Sequence, residues 1–234
     1  MNLCRESVVR TKNVRRVKNM PSFLFRNRRA PADIWNDDVD VRSERRLRYV
    51  FSHSPILETP RLLLRQMKSC DARDMYEYAC QEQVTRYLLW EPHTSLDETR
   101  RYLEMIQPRY RHGDFYDWAL IFRSNSKMIG TCGFASIDLE NRTGEVGCVL
   151  NPAYWGQGIA AEALRAALRF GFDTLKLNRI EARYMMPNVR SRRVMEKCGM
   201  TYEGCGRSLM FVKGAYRDVG ICAILRKEYQ RLPL

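Results

Sequence analysis

Two glycines one residue apart, Gly156 and Gly158, stand between an apolar stretch ending at Leu150 and a periodic run beginning near Ile159 or Ala160. Glycine adopts left-handed backbone angles without steric cost, so such a turn can converge several N–H groups on one point. A helix starting there adds the positive end of its dipole. The chemistry this suits is the holding of an anion of pyrophosphate type. Ala160, Leu164, Ala167, Leu168 and Phe172 recur at helical spacing, with Arg165 and Arg169 on other faces, so the helix buries one side and anchors the turn to a core. Taken alone, Gly-x-Gly is also what an ordinary strand-to-helix connection looks like.

About thirty residues on, Asn188-Val-Arg-Ser191 opens a short helix that Gly199 closes before a strand. With it stand Glu58-Thr-Pro-Arg61-Leu-Leu-Leu-Arg65, Ile129-Gly-Thr-Cys-Gly133, Gly144-Glu145-Val-Gly147 and Lys213-Gly-Ala-Tyr216-Arg-Asp218. In this order the segments resemble the GNAT N-acetyltransferase superfamily, most closely its ribosomal-protein N-terminal acetyltransferase (RimJ/RimL-type) branch, from Leu57 to Tyr229. The resemblance implies an α/β (α+β) GNAT fold. Its central sheet would be mixed and largely antiparallel, with helices on both faces and splayed fourth and fifth strands. It also implies acetyl-CoA as cosubstrate. The pyrophosphate would lie over backbone N–H groups of Trp155, Gly156, Gln157, Gly158, Ile159 and Ala160, and the pantetheine arm would pair with the strand edge that includes Val149. Many relatives carry Gln or Arg where this chain has Trp155, a residue expected to pack under the loop.

The implied reaction is attack of an uncharged amine on a thioester, so the amine must lose a proton and the leaving thiolate gain one. By family position Asn188 is the amide that bonds the pantetheine or orders the site, and Ser191 is the hydroxyl near the sulfur. Many GNAT proteins place a tyrosine acid where this chain has Met195, which leaves Ser191 or water as donor. The alternative for Ser191 is a hydroxyl bonded to its own helix backbone. Glu145 is the first candidate base, directly or through water; the alternative is a strand carboxylate paired with an arginine. Glu203, just after the fourth helix, is a weaker candidate and reads first as structural. Trp90, Glu91 and Pro92 fall where this branch forms an acceptor wall, although a hydrophobic plug would have the same composition. His93 and His112 read as polar surface residues.

A chain of 234 residues with 45% hydrophobic content can bury one good core. No run approaches the roughly 18 to 20 apolar residues of a membrane span, and the first residues lack a secretory signal's apolar stretch. A cytoplasmic protein is the expectation, without membrane contact. The eight cysteines show no C-x-x-C and no nearby histidine pair, so reduced thiols and no metal site are expected.

The net charge of +13 is uneven: residues 1–50 hold thirteen Lys or Arg against six Asp or Glu, leaving 27 against 21 for the remainder. Residues 1–56 therefore read as a basic extension, disordered or a linker, ahead of an acetyltransferase domain at 57–234. Within the extension, residues 33–51 are expected to be a partly helical linker or flap. The first thirty residues suit an arm for ribosomal RNA or another polyanion. A transit peptide, or a true start at Met20 or later, fits them as well.

Periodicity predicts strands at 61–67, 117–123, 128–137, 144–150, 179–186, 201–209 and 218–225. It predicts helices over 72–81 with Asp71 as N-cap, from Ser95 or Asp97 to His112, over 158–172, and over 189–198. The expected function is an acetyl-CoA-dependent N-acetyltransferase acting on a protein or peptide N-terminal α-amine. A polyamine or aminoglycoside acetylase is the alternative within the family, and a ribosome- or nucleic-acid-binding module that retains CoA is the alternative outside it. Oligomeric state is not legible.

Overall fold

Leu62 and Leu64 are fully buried and alternate with half-buried Leu63 and Arg65, the period-2 pattern that lays one side of a strand on a core. The computed structural model, which describes residues 44–53 and 55–232, builds an eight-stranded sheet on this pattern. Its strands are β1 (Leu57–Glu58), β2 (Leu62–Arg65), β3 (Asp117–Phe122), β4 (Lys127–Asp138), β5 (Thr143–Leu150), β6 (Arg179–Met185), β7 (Thr201–Val212) and β8 (Ala215–Leu225). Their order is β1-β2-β3-β4-β5-β6-β8-β7, and only β5 and β6 run parallel. The helices are α1 (Glu44–Ser52), α2 (Ala72–Ala79), α3 (Glu82–Thr85), α4 (Leu96–His112), α5 (Ile159–Arg169), α6 (Val189–Lys197) and α7 (Arg226–Tyr229). Residues on α2 and α4 pack over the sheet face that carries Thr131 and Val149. The opposite face carries Trp118, against which Phe170, just beyond α5, sets its ring edge-on. This is the mixed, largely antiparallel sheet that the resemblance implied, and the pair that parts is β5 and β6.

Helix α1 lies ahead of the boundary expected at residue 56 and packs on the domain. Leu47, Val50 and Phe51 are buried in the main core, Phe51 completely, and its ring packs against Tyr116 and Phe170. The backbone of α1 also rests on Gly113, the left-handed C-cap of α4, where a Cβ would lie 1.9 Å from the Arg48 carbonyl oxygen. Burying these three side chains contributes on the order of 1.5–3 kcal/mol each. The arm and transit-peptide readings concern residues outside those described.

Other boundaries shift for local reasons. Asp71 precedes α2, but its carboxylate accepts from Arg65 Nη1 at 2.6 Å and from the Lys68 amide at 2.7 Å, so the helix gets no side-chain cap. Ser95 does cap α4, accepting from the Glu98 amide at 3.2 Å. After α5 the chain widens into a π-turn, Phe170–Thr174, where Gly171 admits Ile180 and Phe134. Strands β7 and β8 run on to a two-residue turn, Lys213-Gly214, whose φ angles of 51° and 74° suit the twist of a hairpin. His93 is buried rather than superficial, with Nδ1 2.7 Å from Thr99 Oγ1 and its ring beside Trp90 and Tyr102; burial lowers its pKa. His112 stays at the surface.

Candidate active site

Strands β5 and β6 pair for only three residues, from Thr143/Arg179 to Glu145/Glu181. Beyond that, β5 stays with β4 as far as Leu150, while β6 follows β8 to Met185. The two strands thus form a fork, and the β5 edge from Val146 to Leu150 is left without a ladder on that side. A cavity of about 1160 Å³ fills the fork and extends over the start of α5 and the inner side of α6. Backbone groups in such a gap need an outside partner, and an extended ligand can supply one by strand addition.

At one end of the cavity the turn after β5 is held by its own side chains. Asn151, buried, accepts from the Ala153 amide at 3.0 Å and donates to Glu77 Oε1 at 2.9 Å. Trp155 packs beneath the loop, its indole donating to the Leu150 carbonyl at 2.8 Å and its ring lying 5.0 Å from the Arg190 guanidinium carbon. Gly156 and Gly158 have φ of 77° and 75°, and the space where a Gly156 side chain would project is open. Gly158 is the N-cap of α5 and offers no side chain to the first-turn amides. Those N–H groups therefore face the cavity uncapped, with the helix dipole behind them. Two clear left-handed glycines, a bare helix start and an unpaired strand edge in one cavity fit the pyrophosphate and pantetheine of acetyl-CoA.

The side chains placed on this cavity match much of the sequence expectation. Val149, Trp155, Gly156, Gly158, Ile159, Ala160, Asn188 and Ser191 all line it. Gln157 does not; its amide turns back to the Ala153 carbonyl at 3.0 Å, and its own carbonyl accepts from Arg61. Asn188 caps α6, its Oδ1 accepting the Ser191 amide at 3.2 Å, which leaves its NH2 group free of that duty. The Ser191 hydroxyl makes no hydrogen bond among the described residues, contrary to the helix-bonded alternative.

Three expected positions fall elsewhere. Glu145 stands at the closed end of the fork, outside the cavity lining, 3.6 Å from Arg183. Arg183 and Arg179 both grip Glu181, and Arg179 also grips Glu203, so these groups form one ion-pair network. Burial opposes the ionisation of Glu181, but hydrogen bonds from Arg179 and Arg183 outweigh it and hold its carboxyl below the usual range; Arg179 does the same for Glu203. The ion-paired reading of Glu145 is thus the one the geometry matches. Trp90 lines a separate small cleft with Met75, Tyr78 and His93, and Glu91 is exposed, 3.1 Å from Lys213 at the hairpin tip. The large cavity is walled on one side by Gln83, Val84, Arg86, Tyr87 and Leu88 of α3 and the turn after it. Their mixed composition gives no periodic signal, and only the fold brings them to the fork. The charged residues lining the large cavity are Arg86, Arg190, Arg193 and Lys197, with no carboxylate among the described residues that line it.

Comparison with known proteins places this geometry. Residues 61–201 match the family model described as an acetyltransferase (GNAT) domain. An uncharacterized N-acetyltransferase, p20, of Bacillus licheniformis is 35% identical over 173 residues, covering 74% of this chain and 97% of its own. The [ribosomal protein uS5]-alanine N-acetyltransferase of Escherichia coli (strain K12) is 27% identical, covering 74% of this chain and 92% of its own. Among solved structures, spermidine N-acetyltransferase from Vibrio cholerae in complex with CoA and spermine superposes with a TM-score of 0.63 at 25% identity, covering 74% of this chain and all of that one.

Proposed function

The chain belongs to the GNAT acetyltransferase family, and from that premise we propose that its acceptor is the N-terminal α-amine of a protein or peptide, with acetyl-CoA as donor. When bound, acetyl-CoA supplies an activated acetyl group. The protein's part is to place it. The α5 start and the Gly156–Gly158 turn hold the pyrophosphate, and Arg190, Arg193 and Lys197 on the α6 side suit the remaining phosphate. The β5 edge orients the arm, and Ser191 and Asn188 stand where the arm passes α6.

The observation that carries the acceptor class is the sign of the lining. Its charged side chains are all basic, which attracts the phosphates but opposes a polycation such as a polyamine. An α-amine carries one charge and has a reference pKa of about 7.7–8.0, against about 10.4 for a lysine side chain, so it needs less help to become neutral. The uS5-alanine acetyltransferase similarity supports this reading and the spermidine acetyltransferase similarity supports a polyamine acceptor. The nine basic residues among the first thirty would add contact with a polyanion such as ribosomal RNA.

Release of free CoA thiol with peptides beginning in Ala or Ser, lysine-bearing peptides blocked at the N-terminus, and spermidine separates the readings. Faster turnover on the α-amine peptides, widening as pH falls toward 7, is expected. Faster turnover on spermidine would move the acceptor to polyamines. No turnover on any amine, with acetyl-CoA bound, would favour a binding module.

A further inference from the structure

Asp117, the first residue of β3, is 1% exposed, and neither carboxylate oxygen has a hydrogen-bond partner. Buried carboxylates are normally paired or bonded, so an orphaned one calls for a reason. Asp117 lies opposite Gly133 on β4, which lies opposite Gly147 on β5, so the three share one face of the sheet. A Cβ on Gly133 would come within 2.6 Å of Asp117 Oδ1, so the carboxyl occupies the space beside β4 that a side chain at Gly133 would fill. At the next position, Gly147 lines the large cavity, and nothing lies within 4 Å of where its side chain would be. Two missing side chains in a row thus mean that neither β4 nor β5 puts a side chain at these positions between the carboxyl and the wall of the fork.

Among the described residues, no cation acts on the Asp117 carboxyl. Tyr78 lies near it on α2, Cys132 of β4 and Cys148 of β5 turn to the opposite face of the sheet with Trp118, and Tyr110 of α4 donates to its main-chain carbonyl at 3.4 Å. Burial pushes its carboxyl well above the usual carboxylate range; the nearby Cys148 adds to this, and the adjacent Trp118 amide, which falls short of hydrogen-bond geometry, opposes it only in part. A carboxyl raised in this way is a better match to an amine than an ordinary aspartate.

Building on the acetyltransferase reading, we propose that Asp117 is the proton acceptor for the incoming amine, reached through a water at the Gly133–Gly147 gap. An N–H bond of the acceptor ammonium breaks and a proton passes through the water to the ionised Asp117, leaving a neutral amine. The amine lone pair then forms the C–N bond as the thioester C–S bond breaks. The second amine proton passes through the Ser191 hydroxyl to the departing sulfur, and the proton on Asp117 returns to solvent with product release.

Asp117→Asn in the full chain tests this, with acetyl-CoA affinity by calorimetry and kcat on an Ala-initiated peptide from pH 5 to 9. The expected result is unchanged acetyl-CoA binding, a fall in kcat of about 100-fold or more, and loss of the acidic limb of the wild-type profile. Stability gives a second readout. A carboxyl raised on folding destabilises progressively as pH rises above its unfolded value, so the melting temperature of Asp117→Asn should gain on the wild type with rising pH. A variant that binds acetyl-CoA and keeps the wild-type kcat and pH profile overturns the proposal. Asp117→Ala, with formate as an external acid–base group, is the second variant: recovered turnover supports the role, and no recovery in a protein that binds acetyl-CoA overturns it. Should neither variant fold, a wild-type kcat that is flat across this range overturns it. Wild-type protein that binds no acetyl-CoA would instead count against the acetyltransferase reading on which the proposal stands.

Discussion

Glu162 receives Arg61 twice, from the main-chain amide at 2.9 Å and from the side-chain Nε at 2.6 Å, and Thr59 adds a third bond at 2.6 Å. The same arginine donates through Nη1 to the Gln157 carbonyl at 2.8 Å. One side chain therefore links the turn before β2, the glycine turn and the first turn of α5. The glycine turn is flexible by composition, and this clamp is what fixes its shape for an anion.

Burial opposes ionisation of Glu162, but the bonds from Thr59 and Arg61 together outweigh it and hold its carboxyl below the ordinary glutamate range. A depressed carboxylate contributes stability that is present above the unfolded value of about 4.3 and lost as pH falls through its lower folded value. Glu162→Gln should therefore cost about 1–2 kcal/mol at pH 7, a modest figure because Arg61 is 42% exposed. The deficit should shrink in melting curves taken below pH 4. Acetyl-CoA affinity should fall as well; unchanged affinity would mean that the turn holds its shape without the clamp.

Deletion of residues 1–43 should leave a stable, active protein, whereas deletion of residues 1–56 should not. The second cut removes Leu47, Val50 and Phe51 from the core. At about 1.5–3 kcal/mol per side chain, and roughly 2–4 °C per kcal/mol for a domain of this size, melting should drop by 10 °C or more. Equal melting temperatures for the two truncations would contradict the packing of α1.

Asn188→Ala should weaken acetyl-CoA binding and cost about 1 kcal/mol of stability, since the residue caps α6. Ser191→Ala should leave both nearly unchanged and lower kcat. Calorimetry beside steady-state rates separates the two. Wild-type turnover in the Ser191 variant would mean that the sulfur is protonated from elsewhere.

Thiol labelling maps the cavity without activity. Cys70 and Cys205 are exposed, Cys148 is half-buried on the cavity lining, and Cys132, Cys198 and Cys222 are buried. Burial pushes the Cys198 thiol up to about 12, which further slows its reaction. A maleimide should label Cys70 and Cys205 with or without acetyl-CoA, and Cys148 only without it. Equal labelling of Cys148 in both conditions would place acetyl-CoA outside the fork.

Much of this site is local and so was legible in the sequence. The Gly156–Gly158 turn depends on torsions that only glycine takes freely, and Asn188 announces a helix start by its capping oxygen. Asp117 carries no such signal. It is one acid among aromatic residues, and its meaning comes from the register that lines it up with Gly133 and Gly147 on two other strands. The setting of Glu145 is hidden for a related reason. Alternation gives its strand but not the point where β5 and β6 part, and it falls on the last paired position. The stripe of α1, Leu47, Val50 and Phe51, has helical spacing, but Arg45, Arg46 and Arg48 between them masked it in a segment dominated by charge. The cavity wall at Gln83–Leu88 is not legible because a one-turn helix has no period to detect.

The central claim is that the fork between β5 and β6, closed by the glycine turn, holds acetyl-CoA. Titration calorimetry of acetyl-CoA into the wild type and into Gly158→Asp tests it most directly, because the aspartate would place a negative charge where the pyrophosphate is expected and force a side chain onto a φ of 75°. Saturable one-to-one binding by the wild type, lost in a Gly158→Asp protein that still melts cooperatively, is the predicted result. Equal binding by both, or none by the wild type, would contradict it.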